Sequence, residues 1–168
     1  MKNVAFLIFG IAVLRIATPS ILLSSVTIRN LFYSSSPEVA SASLNMTVVA
    51  EIRVNNINFG PFKFGGGNTT LLYGNMTIGA ANIYGGRVGS RSHGGMNVTM
   101  DVIKGDFDHN NANFSTDLDS GLLKLRGFME LRGEVHVMKI MNRRRTAVMN
   151  CSMLLNFTSQ AVQDLVCQ

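Results

Sequence analysis

The chain has 168 residues, of which 46% are apolar and only 15% charged, with a net charge of +5. That balance excludes an intrinsically disordered chain, and the length allows one domain with a real core plus an appendage. The positive charge suits anionic lipid or acidic polysaccharide; with no Trp and no basic recognition helix, nucleic acid is not expected as a partner.

Residues 4–14, VAFLIFGIAVL, form an uninterrupted apolar run, followed by Arg15 and a second apolar stretch to Ile28 that is broken by Pro19 and several Ser. Eleven residues fall short of the ~20 needed to span a bilayer. Arg15 and Pro19 argue against one continuous helix to residue 28. Lys2 followed by this run looks like the start of a signal peptide, but no small-x-small cleavage site follows. A buried core segment is the bland alternative. The preferred reading is the C-terminal part of a membrane anchor whose beginning lies outside the chain, with Arg15 at the water boundary. Residues 1–25 are then a partial anchor containing a short hydrophobic helix, and 26–168 one folded domain.

From residue 44 onward the pattern is β. In 44–55, Leu44, Met46, Val48, Ala50, Ile52 and Val54 share a face, while Asn45, Thr47, Glu51 and Arg53 take the other. Such period-2 alternation marks a strand with one buried side. Asn55 to Pro61 and Gly65-Gly66-Gly67-Asn68 read as loops, and 69–80 as a weaker strand. Tyr84-Gly85-Gly86 and Ser92-His93-Gly94-Gly95 read as turns in the middle of the chain, and alternation resumes at Met96, Val98, Met100 and Val102. The run 122–138 places Leu123, Leu125, Met129, Leu131, Val135 and Val137 on one face, with Gly127 and Gly133. Asn142 to Thr146 reads as a hairpin tip, and 147–158 as a strand with Ala147, Met149, Cys151, Met153, Leu155 and Phe157 inward. The tail 159–166 could close the domain as a short helix. Six to eight strands with regular turns and no long amphipathic helix imply an all-β antiparallel β-sandwich.

Seven Asn-x-Ser/Thr triplets occur, at Asn45, Asn68, Asn75, Asn97, Asn113, Asn150 and Asn156. Sixteen Asn and twenty-four Ser/Thr in 168 residues would give roughly two by chance. Asn45, Asn97, Asn150 and Asn156 fall on polar strand faces, as does Asn75 in the weaker strand, and Asn68 and Asn113 in loop-like sequence. A glycan cannot be buried, so the placement suits N-glycosylation; polar side chains also favour outer faces, which explains placement but not the excess. Two cysteines, Cys151 and Cys167, allow one disulfide in an oxidising lumen or two unpaired thiols.

The other candidate sites are weak. Asp106, Asp108 and Asn110 space oxygens like the start of a calcium loop, but Asn111 stands where Gly is needed and Asp117 where a bidentate Glu is needed. His93, His109 and His136 show no metal-ligand spacing, and no nucleophile, zinc-protease or P-loop motif is present. The glycine run lacks the Lys-Ser/Thr of a phosphate loop. No catalytic residue, metal or cofactor is therefore expected. Arg143, Arg144 and Arg145, with Lys139 nearby, make the densest basic cluster. It reads as a solvated turn, or as a contact for anionic headgroups if the tip faces a bilayer, each charge being worth ~1 kcal/mol there.

The segments FLIFGIAVLRIATP and RVNNINFGPFKF, the Tyr73-Gly74 with Gly79, the MNVTMDV strand and the ending MELRGEVHVMKIMNRRRTAVMNCSMLLNFTSQAVQDLVC together resemble plant late embryogenesis abundant proteins of subgroup 2, the hydroxyproline-rich glycoprotein or harpin-induced-like family. The resemblance covers nearly the whole chain. It implies a single-pass anchor in the plasma membrane or an endomembrane and a fibronectin-type-III-like sandwich facing the apoplast or lumen. It also implies a non-enzymatic role in abiotic stress or defence. The expected mechanism is contact with a protein partner at the cell surface, with no chemistry performed. The chain departs from the family at Ile57, where Asn-Pro-Asn is common, in the Gly-rich 85–95 segment, and in starting inside the hydrophobic span. Mean hydropathy of +0.22 sets it apart from the hydrophilic, disordered late embryogenesis proteins. The alternative function is a lipid or small apolar ligand held between the sheets by the Met- and Leu-rich inner faces.

Overall fold

A computed structural model describes Gly10 and residues 15–36, 41–104, 112–137 and 141–168. The apolar run 4–14, apart from Gly10, lies outside these residues, as do Asp106, Asp108, His109, Asn110, Asn111 and Lys139. Among the residues from 15 onward that are described, eight strands and one short helix follow in chain order: β1 (Ser20–Ser36), β2 (Ser41–Asn56), β3 (Phe62–Tyr73), β4 (Met76–Val88), β5 (Ser92–Lys104), α1 (Ala112–Ser120), β6 (Leu122–Val137), β7 (Met141–Asn156) and β8 (Ala161–Cys167). They form two antiparallel sheets, one of order β1-β2-β5 and one of order β4-β3-β6-β7-β8. The chain is a β-sandwich.

Alternation in the sequence becomes burial in the structure. On β2, Leu44, Met46, Val48, Ile52 and Val54 face the core, and Val98, Met100 and Val102 of β5 lie beside them. From the facing sheet come Leu123, Leu125, Met129, Leu131, Val135 and Val137 of β6, and Ala147, Met149, Cys151, Met153, Leu155 and Phe157 of β7. Fully burying each of the larger side chains is worth about 1.5–3 kcal/mol, which offsets the ordering of these strands.

Several expectations are corrected. Residues 20–25, assigned to the anchor, are the first part of β1, where Ile21 to Leu23 pair with Val54 to Ile52. Here Ile21 is buried and Leu23 half-buried while Ser20, Leu22 and Ser24 are exposed, which is one-sided sheet rather than a lipid-facing helix. Gly65-Gly66-Gly67-Asn68 is no loop: β3 runs through it with a register irregularity between Phe64 and Gly66. Gly66 has φ +138°, and a Cβ on Gly67 would lie 2.2 Å from the Glu130 carbonyl oxygen, so a bulge and a close strand crossing require glycine here. Tyr84-Gly85-Gly86 lies within β4 and Ser92–Gly95 opens β5. The weak 69–80 strand is in fact a hairpin, turned by Gly74-Asn75 with Gly74 at φ +57°. Asn142 to Thr146 are strand residues of β7, opposite His136 to Arg132. Nor is the tail helical: Ala161, Val162, Gln163 and Val166 pair with β7 as an edge strand.

The helix α1 was not expected, and its Asn113 is not in a loop. Phe114 and Leu118, one turn apart, are fully buried and seal one end of the sandwich. Tyr73 locks it in place: its ring meets Phe114 edge-on at 5.0 Å, and its hydroxyl donates to Asp117 Oδ2 at 2.7 Å. Burial, then the hydrogen bond to Asp117 and its negative charge, push the Tyr73 phenol from 10.0 up to about 12. A raised folded-state value means stability that is complete below pH 10 and is lost as pH rises through 12. Alkaline titration of tyrosinate absorbance is expected to show one late phenol near 12 that Tyr73→Phe removes, together with the accompanying loss of stability above pH 10. Identical profiles for the two proteins would contradict this packing.

Candidate functional site

The end of the sandwich opposite α1 is built by four segments: residues 15–19 leading into β1, the β2–β3 loop 57–61, the β4–β5 turn 89–91, and the start of β7. Two asparagines hold the first three together. Asn56 is fully buried; its Nδ2 donates to the Gly60 and Gly89 carbonyls, both at 2.9 Å. Its Oδ1 accepts from the Asn58 backbone N–H at 3.2 Å and from Asn58 Nδ2 at 2.8 Å. Asn58, also buried, passes the network on, with Oδ1 accepting from Ala17 N–H at 2.7 Å and Nδ2 donating to the Ala17 carbonyl at 2.9 Å. The Asn58 carbonyl in turn accepts from Arg91 N–H at 2.9 Å. This loop therefore has its polar groups paired internally, as buried amides must.

What the loop presents outward is apolar and cationic. Ile57 and Phe59 are 60% and 44% exposed, and the Arg91 guanidinium lies 4.7 Å from the centre of the Phe59 ring. Arg15, Arg91 and Arg143 are exposed around them. The three consecutive arginines do not act alike. Arg145 is half-buried and its Nη2 donates to the Ile16 carbonyl at 2.8 Å. Arg144 is exposed and pairs with Glu134 at 3.3 Å, an interaction worth ~0–1 kcal/mol in water. Arg143 is exposed on the first residues of the strand. Sequence reasoning singled out these arginines but read 55–61 only as loop material. The signal it passed over was a loop that keeps two large apolar residues, Ile57 and Phe59, between three asparagines and Gly60.

The seven asparagines of the Asn-x-Ser/Thr triplets are spread over the surface. Asn45 and Asn97 are exposed on the three-stranded sheet, Asn68 and Asn150 on the five-stranded sheet, Asn75 in the β3–β4 turn and Asn113 in the first turn of α1. Asn156, at the end of β7, is half-exposed, and its Oδ1 accepts the N–H groups of Thr158 and Ser159 at 2.9 and 3.2 Å. None of the seven is buried. Cys151 and Cys167 are joined by a disulfide that fastens β8 to β7. Beside it Asn150 and Gln168 exchange two backbone hydrogen bonds of 3.2 and 2.8 Å.

His93 is exposed at the start of β5, while His136 lies half-buried on β6 with Nε2 3.9 Å from Glu134. Among the described residues no group of three or more His, Cys, Asp or Glu could hold a metal ion. No helix among them is long and apolar enough to cross a membrane. Between the sheets lies a cavity of about 40 Å³ walled by apolar residues including Ile52, Met100, Met129, Met149 and Met153. Pockets for small molecules run to roughly 300–1,000 Å³, so this space is a packing gap that the flexible methionines leave.

No protein-family model matches the chain. Its sequence is 32% identical over 167 residues to the late embryogenesis abundant protein At1g64065 of Arabidopsis thaliana, covering 96% of this chain and 75% of the relative. The chain belongs to the late embryogenesis abundant protein family. A solved structure of a protein from Archaeoglobus fulgidus aligns with 78% of this chain and 95% of its own, with 12% identity and a TM-score of 0.40.

Proposed function

We propose that the chain is a non-enzymatic, N-glycosylated and membrane-tethered member of subgroup 2 of its family. The sandwich would face the lumen or apoplast from a plasma membrane or endomembrane and serve in abiotic stress or defence. Family membership supports the stress-related role. The sheet order β1-β2-β5 over β4-β3-β6-β7 supports a fibronectin-type-III-like reading of the domain, with β8 added at the edge. The observation that carries the proposal is the placement of Asn45, Asn68, Asn75, Asn97, Asn113, Asn150 and Asn156 outside the core, in numbers above chance. The disulfide fits the same oxidising compartment.

The mechanism is contact with a protein partner at the cell surface, with no bond made or broken. An inter-sheet ligand is the weaker alternative, because a cavity of about 40 Å³ holds no lipid. Enzymatic deglycosylation of plant-expressed protein is expected to lower its apparent mass by several glycans, and a carbonate wash to leave the protein in the membrane pellet. An unchanged mass would overturn the lumenal reading, and release by carbonate the tether.

A further inference from the structure

We propose that the end of the sandwich opposite α1 is a docking surface for an anionic phospholipid bilayer, with Ile57 and Phe59 entering the headgroup layer and Arg15, Arg91 and Arg143 facing lipid phosphates. The inference rests on the membrane-tethered reading and adds to it an orientation and a second point of contact.

Three features meet at this end. First, Ile57 and Phe59 are held outward by a buried scaffold: the Asn56 and Asn58 amides fix the loop from beneath through Gly60, Gly89 and Ala17. Two large apolar side chains on a rigid loop suit insertion to a shallow depth, where they gain from leaving water while the buried Asn58 between them keeps its internal hydrogen bonds. Second, cations outnumber carboxylates at this end: Arg15, Arg91, Arg143 and Arg144 are exposed, against Glu134. Among the described residues the ion pairs at this end involve Glu134 with Arg144 and His136, and none includes Arg15, Arg91 or Arg143. The carboxylates of α1, Asp117 and Asp119, sit at the opposite end. Exposed cations also occur at Lys124 and Arg126, but at this end they accompany the exposed Ile57 and Phe59, a combination that suits an anionic bilayer.

Third, the chain itself enters here. Arg145 Nη2 holds the Ile16 carbonyl at 2.8 Å, and Asn58 holds Ala17 from the other side. Ile16 and Ala17 thus lie at the same end that carries Ile57 and Phe59. Arg145 is a positioning residue and makes no lipid contact. A soluble acidic polysaccharide would match the cations but would gain nothing from the two apolar side chains; a bilayer answers both.

The absence of Trp makes the test direct, since Phe59→Trp places a single indole in the full chain. Tyr84→Trp provides a comparison at a side chain 91% exposed on β4. On phosphatidylcholine vesicles containing phosphatidylserine, Phe59→Trp is expected to shift to the blue and be quenched by brominated acyl chains, while Tyr84→Trp keeps its solvent emission. Arg91→Glu with Arg143→Glu is expected to weaken the phosphatidylserine-dependent shift by about tenfold or more. Ile57→Trp repeats the readout independently. A chain that sediments with vesicles yet shows solvent-like emission at both Phe59→Trp and Ile57→Trp leaves the tether standing and overturns the docking. A shift produced by polygalacturonate and not by vesicles overturns it in favour of polysaccharide. Failure to sediment with any vesicle overturns tether and docking together.

Discussion

Gly60→Ala is expected to unfold much of the domain under conditions where the parent is stable. A Cβ at this position would sit 1.8 Å from the His136 carbonyl oxygen and 2.5 Å from its carbon. Both are backbone atoms of β6, so no rotamer change can make room. Either the β2–β3 loop lifts away or β6 moves, and each would break the hydrogen bond from His136 N–H to the Pro61 carbonyl at 3.0 Å. Overpacking typically costs 1–3 kcal/mol, and more where only backbone can yield; a loss of about 3–5 kcal/mol is anticipated from a total of about 5–15. Urea midpoints at constant m would measure it. Gly127→Ala is the control, because its Cβ would meet only the terminal methyl of Met153 at 3.4 Å, beside the inter-sheet gap. A Gly60→Ala midpoint matching that of the parent would mean the loop is not seated on β6.

Asn56→Ala is expected to be nearly as damaging, for a different reason. The substitution removes a buried carboxamide and orphans several groups at once. The Gly60 and Gly89 carbonyls lose their donor, and the Asn58 backbone N–H and Nδ2 lose their acceptor. Each unpaired buried group costs about 1–3 kcal/mol unless water reaches it, so a loss of about 3–4 kcal/mol is anticipated. Asn56→Asp is informative beside it: the acceptor atoms remain, the two donated bonds vanish, and a buried carboxylate is added. Thermal melts should rank Asn56→Asp and Asn56→Ala both well below the parent. A melt for Asn56→Ala within 2 °C or so of the parent would contradict the network, since ~1 kcal/mol already moves a midpoint by about 2–8 °C.

Both residues belong to the segment RVNNINFGPF, which was legible as a family signature but opaque as structure. Alternation exposes strands that have one wet face, so the inner faces of β2, β6 and the latter half of β7 could be read residue by residue. Glycine misled where it was used for close approach rather than for turning, as at Gly66 and Gly67, because composition cannot distinguish a bulge from a loop. β8 misled for the opposite reason. Ala161, Val162, Leu165 and Val166 are spaced as on a helix, and pairing with β7 together with the Cys151–Cys167 link overrides that local preference. Helix α1, only nine residues long, offered two apolar positions, too few for a period. The arginine cluster was visible, but the division of labour among Arg143, Arg144 and Arg145 depends on Glu134 and Ile16, which lie far from one another in sequence.

On the glycosylated reading proposed above, the bridge at the tail would set an order of events during maturation. Cys151 is the middle residue of the triplet Asn150-Cys151-Ser152, and closing it on Cys167 brings Gln168 alongside Asn150, whose backbone is then gripped by neighbours on both flanks. An oligosaccharide destined for Asn150 would have to be transferred while that stretch is still slack, ahead of oxidation. Early thiol pairing would leave this acceptor bare and spare the other six, making one position on the surface a record of how quickly the chain was stapled.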